Sequence, residues 1–212
     1  MPAALRSIAL WCAMAALAAG CAHTVSGHAM RVIPGMDDGS LSPIDVETIM
    51  LDQSQMRAIT GGDLTIIPTM DAKTPVDIQP LVETTPPQCQ WIFAETRTFG
   101  PDVEEFHKTT FQNPPGGGLI SEGAAAYRDA VTARRAFDYL VSLVDGCSAT
   151  PSGPMFVGDW TVSVDTLQTR PSGACGRDYR VKSVVLVEVT ACRYPDSVPA
   201  IVITNILANV PE

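Results

Sequence analysis

Residues 183–192 read SVVLVEVTAC, and this stretch is the strongest strand signal in the chain. Apolar residues, mainly valine, fill nearly every position, whereas a strand with one wet face alternates apolar and polar residues. Such a run predicts a strand that is covered on both faces and therefore lies at the centre of a sheet.

The segment that follows this strand, AIVITNILANV at residues 200–210, fits two descriptions. Its β-branched composition favours a strand. However, its apolar residues recur with the spacing of one helical stripe from Pro199 to Val210. We therefore predict a C-terminal amphipathic helix that begins at Ser197.

Residues 122–145 carry the strongest helix signal. Apolar side chains follow a spacing of three to four residues, and the charged residues lie largely off that stripe. Ser121 can cap the start of this helix, and Gly146 can close its end. The apolar stripe comprises Tyr127, Ala130, Val131, Phe137, Leu140, Val141 and Val144.

The remaining predicted elements are shorter. Ser42 as N-cap and Pro43 in the first turn predict a helix that ends near Arg57. Prolines punctuate residues 71–88, which we expect to be a loop. The strand candidates are residues 64–68, 89–95, 106–111 and 155–169, the last as one or two strands.

The first 20 residues have the composition of a secretory signal peptide. Arg6 precedes the apolar run IALWCAMAAL at residues 8–17, and small residues follow that run. The run is too short for a membrane span of about 20 residues, and no later segment reaches that length. We expect an exported chain without a transmembrane helix after cleavage.

Cys21 follows LAAG at residues 17–20, which resembles a bacterial lipobox. In that signal the cysteine becomes the first mature residue and carries a lipid with acyl chains such as palmitate. The pattern departs from the usual one, because Leu17 stands four residues before the cysteine rather than three. Two or more acyl chains anchor a protein stably. We expect anchoring through Cys21 to the extracytoplasmic side of the cell membrane, and the alternative is a secreted protein with a spare thiol.

The domain boundaries follow from this interpretation: residues 1–20 are the signal peptide, 21–41 a lipidated tether and 42–212 the folded domain. Hydrophobic residues make up 46% of the chain and charged residues 17%, which fits a globular domain rather than a disordered one. The net charge is −9 and no basic cluster is present, which argues against a nucleic-acid partner.

Six cysteines are present, of which Cys12 belongs to the signal peptide and Cys21 to the lipid site. The four that remain, an even number in an oxidising compartment, predict two disulfides. Spacing alone leaves all three connectivities open. No CxxC pair occurs, which argues against a redox motif or a zinc ribbon. The four cysteines are Cys89, Cys147, Cys175 and Cys192.

Three stretches together resemble the extracellular sensor domain family of the mycobacterial serine/threonine kinase PknH, a domain that also occurs alone in mycobacterial lipoproteins. They are LSPIDVETIM with MRAITG, AYRDAVTARRAF before Cys147, and CGRDYRVKSVVLVEVTAC with AIVITNILANVP. The resemblance covers about residues 41–211. The chain lacks the kinase HRD and DFG motifs, so we expect no phosphorylation activity.

This resemblance implies an α+β fold with a central, mostly antiparallel sheet that is packed by helices. It also implies a large cleft, which is taken to be a ligand site in the family. The disulfides of the family pair in sequential order, which implies Cys89–Cys147 and Cys175–Cys192 in this chain.

His107, in a predicted strand, is the histidine with the most plausible chemical role. A surface position is the simpler interpretation, since no HExxH or GxSxG motif accompanies it. Glu104 and Glu105 are neighbours on an expected strand and would point to opposite faces, so they do not suggest an acid–base pair. Arg134 and Arg135 could meet an anionic ligand, although a solvated helix face is the simpler interpretation.

The sequence therefore predicts a lipid-anchored cell-envelope protein whose sensor-like domain binds a ligand and is not an enzyme. The ligand class stays open between a small molecule, a lipid and a protein, and the lining residues stay unidentified. No cofactor or metal is expected. The alternatives are an envelope hydrolase that uses His107 and a structural surface lipoprotein without a small ligand.

Overall fold

A computed structural model describes residues 41–114, 116–173 and 175–211. The predicted signal peptide, Cys21 and most of the predicted tether lie outside the described residues. In the part of the chain that the structure describes, no helix is both long enough and apolar enough to cross a membrane.

The described residues form a seven-stranded sheet whose neighbouring strands are all antiparallel. The strands are β1 (Thr65–Ile66), β2 (Glu105–Asn113), β3 (Gly118–Ala126), β4 (Asp159–Val162), β5 (Thr166–Arg170), β6 (Gly176–Lys182) and β7 (Val185–Cys192). Their order across the sheet is β1-β2-β3-β7-β6-β5-β4.

Helices of two kinds accompany this sheet. The α-helices are α1 (Gln53–Thr60), α2 (Gln79–Thr84), α3 (Glu95–Phe99), α4 (Ala130–Ser148), α5 (Gly153–Phe156) and α6 (Ser197–Ala208). Short 3₁₀-helices cover Val46–Thr48, Pro68–Met70 and Pro87–Phe93. The fold is therefore α+β with a central antiparallel sheet, as the sequence predicts.

The central position of the valine-rich strand is confirmed, because β7 pairs with β3 on one side and β6 on the other. Val187 and Leu186, on opposite faces of β7, are both fully buried. The predicted C-terminal helix is also confirmed, since α6 begins at Ser197 and packs on β7.

The two faces of the sheet have separate hydrophobic cores. The α6 face, as we call it, is covered by α6, α1 and the segment 44–51, which we call the strap. The α4 face is covered by α4, α3 and the 3₁₀-helix Pro87–Phe93. The α6-face core includes Met56, Ile120, Val187, Val202 and Ile206, and the α4-face core includes Trp91, Phe99, Phe137, Leu140 and Leu186.

Two disulfides tie these elements together, with the sequential pairing that the family resemblance implies. Cys89–Cys147 joins the 3₁₀-helix Pro87–Phe93 to the last turn of α4. Cys175–Cys192 joins the residue before β6 to the last residue of β7. The first bridge therefore fixes the cover of the α4 face, and the second fixes one end of the central strands.

The long helix starts later than its sequence pattern indicates. Residues up to Ala126 form β3, and α4 begins after Asp129, whose Oδ1 accepts a hydrogen bond from the Thr132 N–H at 2.7 Å. The alanines of β3 favour a helix locally, but pairing with β2 and β7 on both sides overrides that weak preference. Tyr127 is consequently not part of a helical stripe, and its hydroxyl donates to the Phe99 carbonyl at 2.7 Å.

Three further sequence predictions are wrong, and one strand was not predicted. Residues 89–95 are not a strand, because Pro87 starts a 3₁₀-helix that leads directly into α3. The opening helix is divided, since Asp52 forms a capping box with Gln55 and starts α1 afresh. The predicted loop at residues 71–88 contains α2, and β6 has no counterpart among the predicted strands.

Candidate functional site

A row of directly paired residues crosses the α4 face in the middle of the sheet. Lys108 of β2 pairs with Gly123 of β3, Gly123 pairs with Glu188 of β7, and Glu188 pairs with Tyr179 of β6. Directly opposite residues in neighbouring strands project from the same face. The register therefore brings a lysine, a glutamate and a tyrosine together, with a glycine between the two charged residues.

The next row on the same face is also polar. Thr110 pairs with Ser121, Ser121 with Thr190 and Thr190 with Arg177. The hydroxyls of Thr110 and Ser121 are hydrogen bonded to each other at 3.0 Å. We call these two rows, together with Glu95 of α3, the polar sheet face.

Four charged side chains of the polar sheet face form two ion pairs. Lys108 Nζ donates to Glu95 Oε1, and Arg177 Nε lies 3.8 Å from Glu188 Oε1. The same Glu188 oxygen accepts a hydrogen bond from Thr190 Oγ1 at 2.7 Å. The four charged side chains keep 12–22% of their surface exposed, so the pairs are shielded and yet reachable from solvent.

Glu95 is the group of this site whose ionisation is perturbed. Burial raises the pKa of Glu95 above its ordinary value, and the negative charge of Glu188 adds to that rise, whereas Lys108 opposes it. The second carboxylate oxygen accepts a hydrogen bond from the Val76 N–H at 2.8 Å. A ligand that displaced Lys108 from this carboxyl would therefore favour its protonation.

A small crevice of about 120 Å³ lies beside the Lys108–Glu95 pair. Its walls are largely apolar and include Met70, Val76 and Ile78. Next to the pair, Gly123 of the sheet has no side chain, and the Phe99 ring of α3 lies within van der Waals distance of the place where a Cβ would be. The site thus offers paired charges to a ligand at the edge of an apolar wall.

The chemistry available here is recognition by hydrogen bonding and charge. Two cations and two carboxylates are balanced, and hydroxyl groups surround them. Within residues 41–114, 116–173 and 175–211, no cluster of three or more His, Cys, Asp or Glu residues could hold a metal ion. The polar sheet face therefore fits a polar ligand that presents both a donor and an acceptor.

His107, the residue of the hydrolase alternative, lies in β2 and has 15% of its side chain exposed, so it is more buried than a simple surface position implies. Its Nε2 is 3.1 Å from Asp71 Oδ1 and 3.4 Å from Thr109 Oγ1, and that hydroxyl donates to Asp71 at 2.9 Å. A catalytic triad places the acid on one ring nitrogen and the nucleophile on the other. Here the Asp71 carboxylate and the Thr109 hydroxyl both lie at Nε2. The other ring nitrogen, Nδ1, is buried with no partner among the described residues.

A lone carboxyl is buried on the opposite, α6 face. Glu122 of β3 is fully buried, and its Oε1 accepts a hydrogen bond from the Leu51 N–H of the strap at 3.1 Å. Its Oε2 has no partner among the described residues. Burial raises the pKa of Glu122 to about 8, and the Leu51 hydrogen bond opposes the rise only partly.

Sequence reasoning identified none of the charged residues of the polar sheet face. They come from α3, β2, β6 and β7, and only the strand register brings them to one place. One signal was available: Glu188 is the single charged residue inside SVVLVEVTAC. A charge in the middle of a strand that is buried on both faces needs a partner, and such a position is a candidate site.

The comparisons with known proteins agree with this architecture. The family model described as "PknH-like extracellular domain" matches residues 41–209. The crystal structure of the extracellular domain of PknH from Mycobacterium tuberculosis superposes with a TM-score of 0.61. The two chains share 14% sequence identity, over 78% of this chain and 96% of that one.

At that level of identity the structural match shows a common fold and nothing more. No curated protein matches the sequence. The family model, however, spans nearly the whole of the described chain, including α1, the sheet and α6. This chain therefore belongs to the PknH-like extracellular domain family.

Proposed function

We propose that this chain is a lipid-anchored, extracytoplasmic sensor-like protein that binds a ligand on the polar sheet face and carries out no catalysis. The observation that supports it best is the arrangement of two shielded ion pairs on one face of the central sheet. Burying charged groups costs free energy unless they form ion pairs or bind a ligand. Membership of a family of extracellular domains supports the extracytoplasmic location.

The ligand experiment compares the wild-type chain with Glu188→Gln. Small molecules that co-purify with the chain from its native host are identified by mass spectrometry, and binding is then measured by calorimetry. Glu188→Gln removes the charge that Arg177 and Thr190 both contact, so we expect an affinity loss of about ten-fold or more.

Arg128→Gln is the matched control, since Arg128 is an exposed residue whose contact with Glu104 is a loose one of 3.9 Å. Its affinity should equal that of the wild type. If no molecule co-purifies and envelope lipids and glycans cause no thermal shift, the binding role is refuted and the structural lipoprotein remains.

Anchoring is tested separately through Cys21→Ala. The lipobox-like stretch at residues 17–21 supports attachment of a lipid at Cys21. We expect the wild-type chain to enter the detergent phase on phase partitioning and the variant to stay in the aqueous phase. Partitioning of the variant into detergent would refute the anchor without affecting the ligand proposal.

A further inference from the structure

A second cavity lies beside α3. It is a groove of about 450 Å³ between α3 and the first half of α4, and we call it the α3–α4 groove. This volume is within the range of small-ligand sites, which is roughly 300–1,000 Å³. Phe99, Ala136 and Tyr139 give it a carbon-rich lining. Phe99 is almost wholly buried, whereas Tyr139 is half exposed.

Two guanidinium groups line the same groove. Arg97 is exposed and has no carboxylate partner in the part of the chain that the structure describes. Arg135 pairs with Asp102 across 3.3 Å, and both of these side chains are largely open to solvent, at 67% and 47%. An exposed pair of that kind contributes little stability and is easily exchanged for a better partner.

An apolar groove with an unpaired cation has a complementary ligand chemistry. The hydrocarbon part of a ligand would cover Ala136 and the exposed part of the Tyr139 ring, and its anionic end would meet Arg97. The net charge of the chain is −9, which repels anions in general. Binding of an anion here therefore depends on the local positive charge of Arg97. Asp102 would repel such an anion and also occupies Arg135.

We propose that the α3–α4 groove binds an amphiphile that consists of one alkyl chain and one terminal anionic group, such as a fatty-acid carboxylate. This site goes beyond the polar ligand of the proposed function, because none of the four charged residues of the polar sheet face lines the groove. The groove binds the amphiphile as a monomer rather than as part of a lipid bilayer.

The test uses the full chain with Cys21→Ala, which keeps every described residue and removes the expected acyl attachment. Binding of dodecanoate below its micellar concentration is measured by calorimetry. Dodecan-1-ol and dodecyltrimethylammonium serve as neutral and cationic probes of the same chain length. We expect dodecanoate to bind tightest and the cation to bind weakest.

Two charge variants should move the affinity in opposite directions. Arg97→Gln removes the free guanidinium and should weaken dodecanoate binding by about ten-fold, with no change for dodecan-1-ol. Asp102→Asn removes the repulsive carboxylate and releases Arg135, so it should tighten dodecanoate binding several-fold. Both residues are exposed on the surface, so both variants should fold, and Arg128→Gln should bind like the wild type.

A steric variant tests the apolar part of the groove. Ala136→Leu fills the space that the alkyl chain would occupy and should weaken dodecanoate and dodecan-1-ol alike, with a thermal unfolding curve to confirm folding. The proposal is overturned if Arg97→Gln and Asp102→Asn leave the dodecanoate affinity unchanged. Binding to phosphatidylglycerol vesicles without binding of monomeric dodecanoate would overturn it too, because the partner would then be a membrane surface.

Discussion

On the α6 face of the sheet a single carboxyl, that of Glu122, is buried without an ion-pair partner among the described residues. On the α4 face the four charged side chains of the polar sheet face are arranged in two pairs and keep contact with solvent. The first face is closed by the strap and α6, whereas the second leaves a crevice and a groove beside α3. Within one sheet, therefore, one face is a closed core, and the other carries paired charges beside open cavities.

The difference also concerns how each face is held closed. The α6-face core consists of aliphatic side chains and Phe111 and contains no disulfide within the described residues. The α4-face core includes Cys89 and Cys147. The Cys89–Cys147 disulfide therefore adds a covalent constraint to the hydrophobic burial of the α4 face.

Removal of the Cys89–Cys147 link should give the largest effect. In the loop-entropy model, closing a loop of 58 residues contributes about 4 kcal/mol, and the loop of 17 residues between Cys175 and Cys192 contributes about 3 kcal/mol. We therefore expect Cys89→Ser with Cys147→Ser to destabilise more than Cys175→Ser with Cys192→Ser. Denaturant unfolding of both double variants measures the difference. An equal or reversed order would show that the Cys89–Cys147 disulfide does not stabilise the protein more than the Cys175–Cys192 disulfide does.

Glu122→Gln should give the next largest effect, and it should depend on pH. The pKa of Glu122 is raised from 4.5 to about 8, so the folded state binds more protons than the unfolded state between these values. The contribution of Glu122 to stability is therefore complete below pH 4.5 and is lost as the pH rises to 8. Since each unit of pKa shift corresponds to about 1.4 kcal/mol, the loss should exceed about 2 kcal/mol.

The variant should remove this slope, because glutamine keeps an acceptor for the Leu51 N–H but does not ionise. Melting temperatures of the wild type and of Glu122→Gln between pH 5 and pH 8 measure it. Parallel curves for the two chains would mean that Glu122 is ionised at neutral pH and that the α6 face is less sealed than the structure indicates.

The ion pair of the α4 face should give the smallest effect. Lys108→Met leaves Glu95 without its cation, and we expect a loss of about 1–2 kcal/mol at pH 7. Adding Glu95→Gln should recover part of that loss, because the uncompensated charge is then gone. Arg128→Gln, which removes an exposed contact, should stay within about 0.5 kcal/mol. If the double variant is as unstable as Lys108→Met alone, the pair is not energetically coupled.

Strong hydrophobic periodicity made several helices and strands predictable. Others were not predicted correctly, because their local sequence fits more than one type of secondary structure. The strand at residues 183–192 and the helix from Ser197 are confirmed because their patterns extend over eight or more residues. The start of α4 is wrong in the sequence prediction, since SEGAAA reads as helix until two strands pair with it. The 3₁₀-helix at Pro87 was missed, although proline in a first turn is a helix signal.

The sequence by itself determined the likeness to an exported sensor-domain family, the number of cysteines available for disulfides, and the central strand, because each depends on residues that are adjacent or regularly spaced. The tertiary structure alone decided the polar sheet face, the lone buried Glu122 and the α3–α4 groove. Lys108 is far from Arg177 and Glu188 in the chain, Arg177 meets Glu188 across the β6–β7 hairpin, and both meetings depend on strand register. A shift of one residue in that register would place each of them on the opposite face, so no local pattern can encode the site.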